Sequence, residues 1–304
     1  MSALAVTDVG PQVLVQDAGR TGLAGIGVGR SGAADRAAYT LGGRLVAHGA
    51  GRACLEVAFG GLVATVHGEA TIALTGADAH ATVDGHPIPH SAPLQVRDGQ
   101  ELRLGMPSAG VRTYLSVRGG FDVPQVLGSR STDTLAALGP DAVSAGDVLP
   151  VADFDGPFPN VDVAPVALPA TGRVTLFVLP GPRRDWFADM DSVVVGGPTA
   201  DSTQSHSSAD GGAGWTVSER SNRVGVRLTG TALERRHEHR ERELPSEGMM
   251  RGCIQVPPDG QPVIFGSDHP VTGGYPVIGV LTAAAADRAA QLQPGQQVDL
   301  RWAK

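Results

Sequence analysis

Apolar residues recur along this chain in short runs whose spacing switches between two and three-to-four, and each switch marks a new element. A β-branched run at Val13–Val15 leads into "QDAGRTGLAGIGVGRSGAADRAAYTLGGRLV", where glycines at 19, 22, 25, 27 and 29 interrupt regular structure up to about Gly32. Ser31 then stands as an N-cap, and Ala34, Ala38, Leu41 and Leu45 follow at the spacing of one helix face, which predicts a helix ending near Val46. Beyond it, "CLEVAFGGLVATVHGEATIALTGADAHATVDGHPIP" alternates apolar and polar residues between Gly and Asp breaks, the pattern of antiparallel hairpins. "LQVRDGQELRLGM" and "GVRTYLSVRGG" continue the meander, and strands at intervals of about 8–12 residues predict a sandwich or barrel.

The period fails in "VADFDGPFPNVDVAPVALPA", residues 151–170, whose prolines read as an ordered crossing or an interdomain linker. This predicts an N-terminal β-rich domain over 1–150 and a second β-rich domain over 171–304. In the second, "VTLFVLPGP" resumes a strand and "RRDWFADM" supplies one or two helical turns. Gly196–Gly214 has almost no large apolar side chain to offset its ordering and reads as a mobile loop. A helix from Thr282 to about Leu292, a Pro-Gly turn and a closing strand end the chain. "AADRAAYTLGG" and "AAADRAAQLQPG" echo one another, as two related β domains would.

Length supports the two-domain reading, since 304 residues exceed what one ordinary core organises. With 42 glycines and 22 prolines, the expected class is mainly β with a few short helices. A net charge of -7 gives no basic footprint for nucleic acid or an anionic bilayer. "MSALAVTDVGPQVLVQD" lacks a cationic start and an apolar core, so a cytoplasmic protein without a membrane role is expected. Cys54 and Cys253 sit in no metal-ligand or disulfide pattern and read as buried free thiols. His237 and His239 lie in "ERRHEHRERE", a mixed-charge solvated face, and no metal site is expected.

Four groups of polar residues fall on turns, where binding and catalytic side chains concentrate. Gln16, Asp17, Arg20, Ser31 and Asp35 surround the glycine-rich approach to the first helix, whose free amides suit an anion; a tight entry turn explains the same letters. "LTGAD", ending at Asp78, joins Arg112 and Gly119–Gly120 as a carboxylate holder or a plain hairpin turn. "GSRSTD", Gly128–Asp133, offers Arg130, Ser131 and neighbouring hydroxyls to a phosphate or carboxylate, or forms a capped turn. The fourth group comprises Asn222, Arg223, Glu247, Gln255, Asp259, Gln261, Asp268, His269 and Tyr275 around "TGGYP". There Thr272, Gly273 and Gly274 have the makings of successive amides for an oxyanion, with Asp268, His269 and Glu247 to move protons; a Gly-Gly hairpin under Tyr275 is the bland alternative.

In order, "VQDAGRTG", "GVGRSGAADRAA", "LTGAD", "GVRTYLSVRGGFDVPQVLGSRSTD", "NRVGVRL", "SEGMMRGCIQVPPDGQP" and "DHPVTGGYP" resemble the 5-oxoprolinase C-subunit family, also called the biotin-dependent carboxyltransferase or allophanate hydrolase subunit 2 family. The resemblance runs from about Val13 to Leu300. It implies a cyclophilin-like β-barrel in the second domain and an obligate partner of the 5-oxoprolinase B-subunit, or allophanate hydrolase subunit 1, type. With that partner and a third chain, the 5-oxoprolinase A-subunit, it implies ATP-dependent opening of 5-oxoproline to glutamate. The same resemblance allows two alternatives: carboxyl transfer from carboxybiotin to urea-like amides, and a non-catalytic regulatory role as binding partner of a kinase inhibitor. Pro270 and Val271 stand where many relatives have Gln-Thr, and "NRVG" where many have Asp-Arg-Met-Gly, which leaves the substrate open. The sole lysine is Lys304, so biotin would arrive on another protein.

Overall fold

Residues 2–49, 51–188, 190–195 and 214–303 are described by a computed structural model. Their contacts divide the chain into one unit over Met1–Thr171 and another over Gly172–Lys304. The predicted loop at Gly196–Gly214 lies, from 196 to 213, outside the described residues.

In the first unit the period-two runs become two antiparallel sheets. One orders Val148–Pro150, Ala3–Asp8, Val63–His67, Glu101–Arg103, Thr82–Val83 and His86–Pro87; the other orders Gln12–Gln16, Cys54–Ala58, Arg112–Val117, Ala70–Gly76 and Pro93–Val96. Alternate residues of both sheets, among them Val6, Val15, Leu55, Val57, Ala64, Leu74, Leu102, Leu115 and Val117, form one buried core. Because successive side chains point to opposite faces, the five-stranded sheet sends Cys54, Glu56, Tyr114 and Ser116 away from that core. The helix Arg36–Leu45 covers this second face, with Ala38 and Tyr39 packed on Cys54 and Tyr114. Its approach is close: a Cβ on Gly42 would run into Ser116 Oγ, and Thr75 Oγ1 donates to the Ala38 carbonyl at 2.8 Å.

The helix starts later than the sequence predicts. Its N-cap is Asp35, whose Oδ1 accepts from Ala38 N at 2.9 Å, whereas Ser31 is fully buried with φ +53° in the segment before it. Both letters are good caps; Tyr114 Oη decides between them by accepting from Asp35 N at 2.7 Å, which fixes where the chain turns into the helix. Of the two readings of the proline-rich stretch, the contacts fit an ordered crossing. Ala152 N donates to Gly120 O, Ala164 N to Ser91 O, and Arg118 donates to the Pro157 and Gly156 carbonyls while lying over Phe154 and Phe158. Several backbone groups of 151–170 thus bond the rest of the first unit.

The second unit is a closed barrel. Val174–Pro180, Val277–Leu281, Cys253–Gln255, Val263–Phe265, Gly225–Thr229, Trp215–Val217 and Gln297–Trp302 follow one another in the sheet, and Gln297–Trp302 returns in parallel to Val174–Pro180. Val194–Val195 adds a parallel pairing to Gln297–Trp302. The lumen holds Leu176, Trp215, Leu228, Ile254, Ile264, Ile278 and Leu300, and the helix Ala283–Ala289, capped by Thr282, packs Ala285, Ala286 and Ala289 into the same core. Closure leaves this sheet few unpaired edges. The chain is therefore mainly β, as expected, with few short helices.

The internal echo does not survive as architecture. Asp35 caps its helix from outside, whereas Asp287 sits within Ala283–Ala289 and receives Arg251 Nη2 at 2.6 Å. Equal letters occupy different helical positions, in an open sandwich and in a closed barrel. Cys54 and Cys253 are buried free thiols, and no helix among the described residues is long and apolar enough to cross a membrane.

Candidate functional site

The helix-covered face of the first unit is polar. Gln16, Cys54, Glu56, Thr75, Arg112, Tyr114 and Ser116 are all buried there. Burying such groups is tolerable only when they bond each other, and they do. Glu56 Oε2 accepts from Tyr114 Oη at 2.7 Å and from Ala34 N at 2.9 Å, and its Oε1 accepts from Arg112 Nε at 3.2 Å. Burial first, then the neighbouring carboxylates Glu56 and Asp35, push the Tyr114 hydroxyl well above its ordinary range; burial and Glu56 do the same to the Cys54 thiol.

Next to it lies a cradle for an anion. Asp17 Oδ1 accepts from Gly19 N at 2.8 Å and from the Ser129 and Ser131 hydroxyls at 2.6 Å each, while Oδ2 accepts from Arg130 N at 2.7 Å. Where "GSRSTD" is expected to ring a bound phosphate or carboxylate, the group it rings in the structure is the chain's own Asp17. The first and third sequence groups are thus one buried network. Gln16 Nε2 and Ser31 Oγ both donate to the Thr132 carbonyl at 2.8 and 3.1 Å, and Arg20 donates to the Val126 and Ser131 carbonyls. Gln16 Oε1 and Arg20 Nη1 are buried without a hydrogen-bond partner.

These contacts correct several expectations. Arg130 is held by Val123 O at 2.8 Å and Asp122 Oδ1 at 3.2 Å, and Arg112 by Glu56, so each guanidinium already has a partner within the chain. Gly119–Gly120 does not join Arg112: the strand Arg112–Val117 separates them by about 20 Å at the usual rise per residue. Asp78 closes its own turn, accepting from His80 N at 2.9 Å.

The buried titratable groups of this unit set a pH window. Tyr114 and Cys54 keep their protons above the ordinary values of 10.0 and 9.0, so the stability they contribute is full below those values and is lost as pH rises beyond them. His48 and His90, lowered from 6.5 chiefly by burial, contribute stability that is full above that value and lost as pH falls below it. Urea unfolding followed from about pH 5 to 11 should give a plateau near neutrality with a fall on each side; a curve rising past pH 9 would contradict the burial of Tyr114 and Cys54.

The second unit gathers most of the fourth sequence group on the outer face of the barrel. Ile254 points into the lumen, so its neighbours Cys253 and Gln255 face out. Met249, Cys253, Phe265 and Val277 pack there as a small second core. Over it, Glu247–Gly248 pairs with Thr272–Gly273 as a two-stranded ribbon, Glu247 opposite Gly273, and Met249 N donates to Val271 O at 2.9 Å. The turn of successive outward amides expected from "TGGYP" gives way to this ribbon, because an antiparallel ladder takes alternate amides for itself. At Gly273 a Cβ would stand 2.7 Å from Gln255 Nε2, which donates to Tyr275 O at 3.1 Å, so a side chain there would displace that amide.

Asp268 and Arg223 form a two-point ion pair, Nε–Oδ2 2.8 Å and Nη2–Oδ1 2.9 Å, with side chains 0% and 1% exposed. A carboxylate so enclosed is a counter-ion, which removes Asp268 from proton transfer and Arg223 from holding an outside anion. His269 stacks on Phe265 at 6.0 Å, its Nδ1 2.8 Å from Pro270 O. Glu247 remains partly exposed and pairs with Arg183, a residue that no sequence motif singled out. Tyr275, just past the ribbon strand Thr272–Gly273, is 45% exposed. Asn222 Oδ1 accepts from Val224 N and Gly225 N, Gln261 ties Gly230, and Asp259 accepts from Gln261 N; these three shape turns away from the ribbon.

The family model for the carboxyltransferase domain, subdomain A and B, matches residues 26–302. The chain belongs to this carboxyltransferase family. The match crosses the boundary at 171/172, so both units are parts of the family's domain. The 5-oxoprolinase C-subunit of Escherichia coli K12 is 33% identical over 298 residues, 97% of this chain and 89% of that protein. Urea amidolyase of Saccharomyces cerevisiae is 31% identical over 315 residues, 98% of this chain but 16% of that protein. Among solved structures, the urea amidolyase of K. lactis superposes with a TM-score of 0.85 at 28% identity, covering 98% of this chain and 18% of that one. The chain spans less than a fifth of these two yeast proteins.

At and around the ribbon, Thr272, Gly274 and Tyr275 are exposed and the Glu247–Arg183 pair is partly exposed. What sequence reading missed was pairing. Glu56 sits in "CLEVA" at a position that alternation would give to solvent, yet it is 1% exposed and organises Arg112 and Tyr114. The one available signal was the continuation "VAF", which leaves no polar face for the strand to show to water.

Proposed function

We propose that this chain is the C component of an ATP-dependent 5-oxoprolinase that opens 5-oxoproline to glutamate, acting with partners of the B-subunit and A-subunit types. The observation that carries this reading is the correspondence to the E. coli 5-oxoprolinase C-subunit at 33% identity over 97% of this chain and 89% of that protein. The ribbon supports it chemically. Glu247 is a carboxylate with solvent access, oriented by Arg183, and lies across the ladder from Gly273. Such a group can hold a water against a lactam carbonyl and take its proton, and Tyr275 adds a flat surface beside the ring.

ATP does not fit the described residues of the first unit, because Asp17 fills their anion cradle and Glu56 occupies Arg112. In this reading nucleotide chemistry is assigned to the partners. Biotin, in the carboxyl-transfer reading that the urea amidolyase relatives favour, would likewise come on a carrier, since Lys304 is the sole lysine.

The test is 5-oxoproline-dependent ATP cleavage by the chain purified with its two partners. The expected result is stimulation in the full complex, insensitive to avidin, and a fall of about 10²-fold or more in kcat for Glu247→Gln with the complex still assembled. No stimulation would reject the 5-oxoprolinase reading; avidin-sensitive turnover on urea would replace it with carboxyl transfer.

A further inference from the structure

The second unit carries a pocket of about 480 Å³, within the range of small-molecule sites, that none of the ribbon residues line. Its apolar floor includes Phe187 and Leu233, both buried, and its charged lining is Arg235, Arg240, Glu234 and Asp259. Two arginines and two acidic residues thus line one small space. A plain anion would meet two carboxylates there and a plain cation two guanidinium groups, so neither is complementary. A molecule carrying both charges is.

The arrangement of the charges agrees. Arg240 and Glu234 stand 3.9 Å apart with side chains 59% and 80% exposed, a loose pair that a ligand can enter at little cost. Asp259 uses Oδ1 to accept from Gln261 N, which fixes its carboxylate at the rim. Arg235 is held from behind: Nη1 donates to Arg242 O at 3.2 Å, and its guanidinium lies 5.9 Å from the Trp186 ring, which also carries Arg242 at 5.3 Å and a stacked His239 at 4.6 Å. That aromatic seat limits the side-chain motion that a carboxylate would otherwise have to freeze.

We propose that this pocket binds an α-amino acid with an apolar side chain, its carboxylate on Arg235 and Arg240, its ammonium between Glu234 and Asp259, and its side chain on Phe187 and Leu233. The site is independent of the 5-oxoprolinase reading. The probe is L-leucine titrated into the full chain, followed by calorimetry and by tryptophan fluorescence, since Trp186 lies behind Arg235. Saturable binding is expected, with 4-methylpentanoate, which lacks the ammonium, and leucinamide, which lacks the carboxylate, each at least about tenfold weaker. Arg240→Gln and Asp259→Asn, both at exposed positions and checked for unchanged unfolding temperature, should each weaken L-leucine by a similar factor. Absence of saturable binding of L-leucine and L-phenylalanine at about 10 mM, equal binding of 4-methylpentanoate, or unchanged affinity in both variants would each overturn the proposal.

Discussion

Replacing Arg223 by methionine should destabilise the second unit by about 3–5 kcal/mol, because it takes a two-point counter-charge from the enclosed Asp268 carboxylate. The pair is made of two short bonds, 2.8 and 2.9 Å, in a site where neither side chain is more than 1% exposed. Losing one member strands the other, whereas losing both removes the desolvation penalty together with the attraction. Arg223→Met/Asp268→Leu should therefore recover most of the loss. Thermal and urea unfolding of the two single variants and the double variant measure this directly, with a midpoint shift of roughly 10 °C or more for the singles. The loss should reach function as well, since Asp268 N donates to Arg223 O at 3.1 Å and the same segment runs through His269 to the ribbon. Were Arg223 instead a holder of substrate carboxylate, Arg223→Met would unfold within about 1 kcal/mol of the parent and change only KM. That outcome would return Arg223 to the substrate.

The contrast between what could and could not be read from the chain follows from the range of the interactions. Strands were legible because alternation is local: "CLEVA" and "RTYLSV" carry their two faces in their own letters, and a core at Leu55, Val57, Leu115 and Val117 follows. Turn residues were legible as turn residues, and Asn222, Asp78 and Asp259 indeed close turns. The use of each charge was not legible, because it is set by a partner far along the chain. Arg112 finds Glu56 only when Arg112–Val117 pairs with Cys54–Ala58 so that Tyr114 faces Glu56; one residue of slip would put the carboxylate in the apolar core. Asp17 meets Ser129, Arg130 and Ser131 across more than a hundred residues, and Glu247 meets Arg183 across 64. An isolated arginine on a turn reads the same whether its carboxylate is a substrate's or the chain's. Here the buried ones, Arg112 and Arg223, hold the chain's own, while the half-exposed pair of Arg183 and Glu247 is left at the surface where a substrate can reach it.

Asp17→Ala should be the most damaging single change in the first unit, and the damage should be reversible by a small carboxylate. Four donors converge on Asp17: the Gly19 and Arg130 amides and the Ser129 and Ser131 hydroxyls. Each bond to a charged acceptor contributes about 1.5–3 kcal/mol, and the donors left behind are buried, so a loss on the order of 5 kcal/mol is expected. Alanine vacates a space shaped for a carboxylate and ringed by its donors. Formate fits that space and should bind the folded variant but not the unfolded chain, raising its unfolding midpoint in proportion to the logarithm of concentration; the parent protein, whose cradle is full, should not respond. Chloride at equal ionic strength separates this from screening. Asp17→Asn provides a milder second variant: its Oδ1 can still accept from Gly19 and the serine hydroxyls, but its amide nitrogen then faces the Arg130 N–H, donor against donor, at about 1–3 kcal/mol. Unfolding of both variants across a formate series reads the prediction. An Asp17→Ala protein as stable as the parent, or one that recovers equally in chloride, would show that these donors are satisfied without an anion and that the cradle is only a turn.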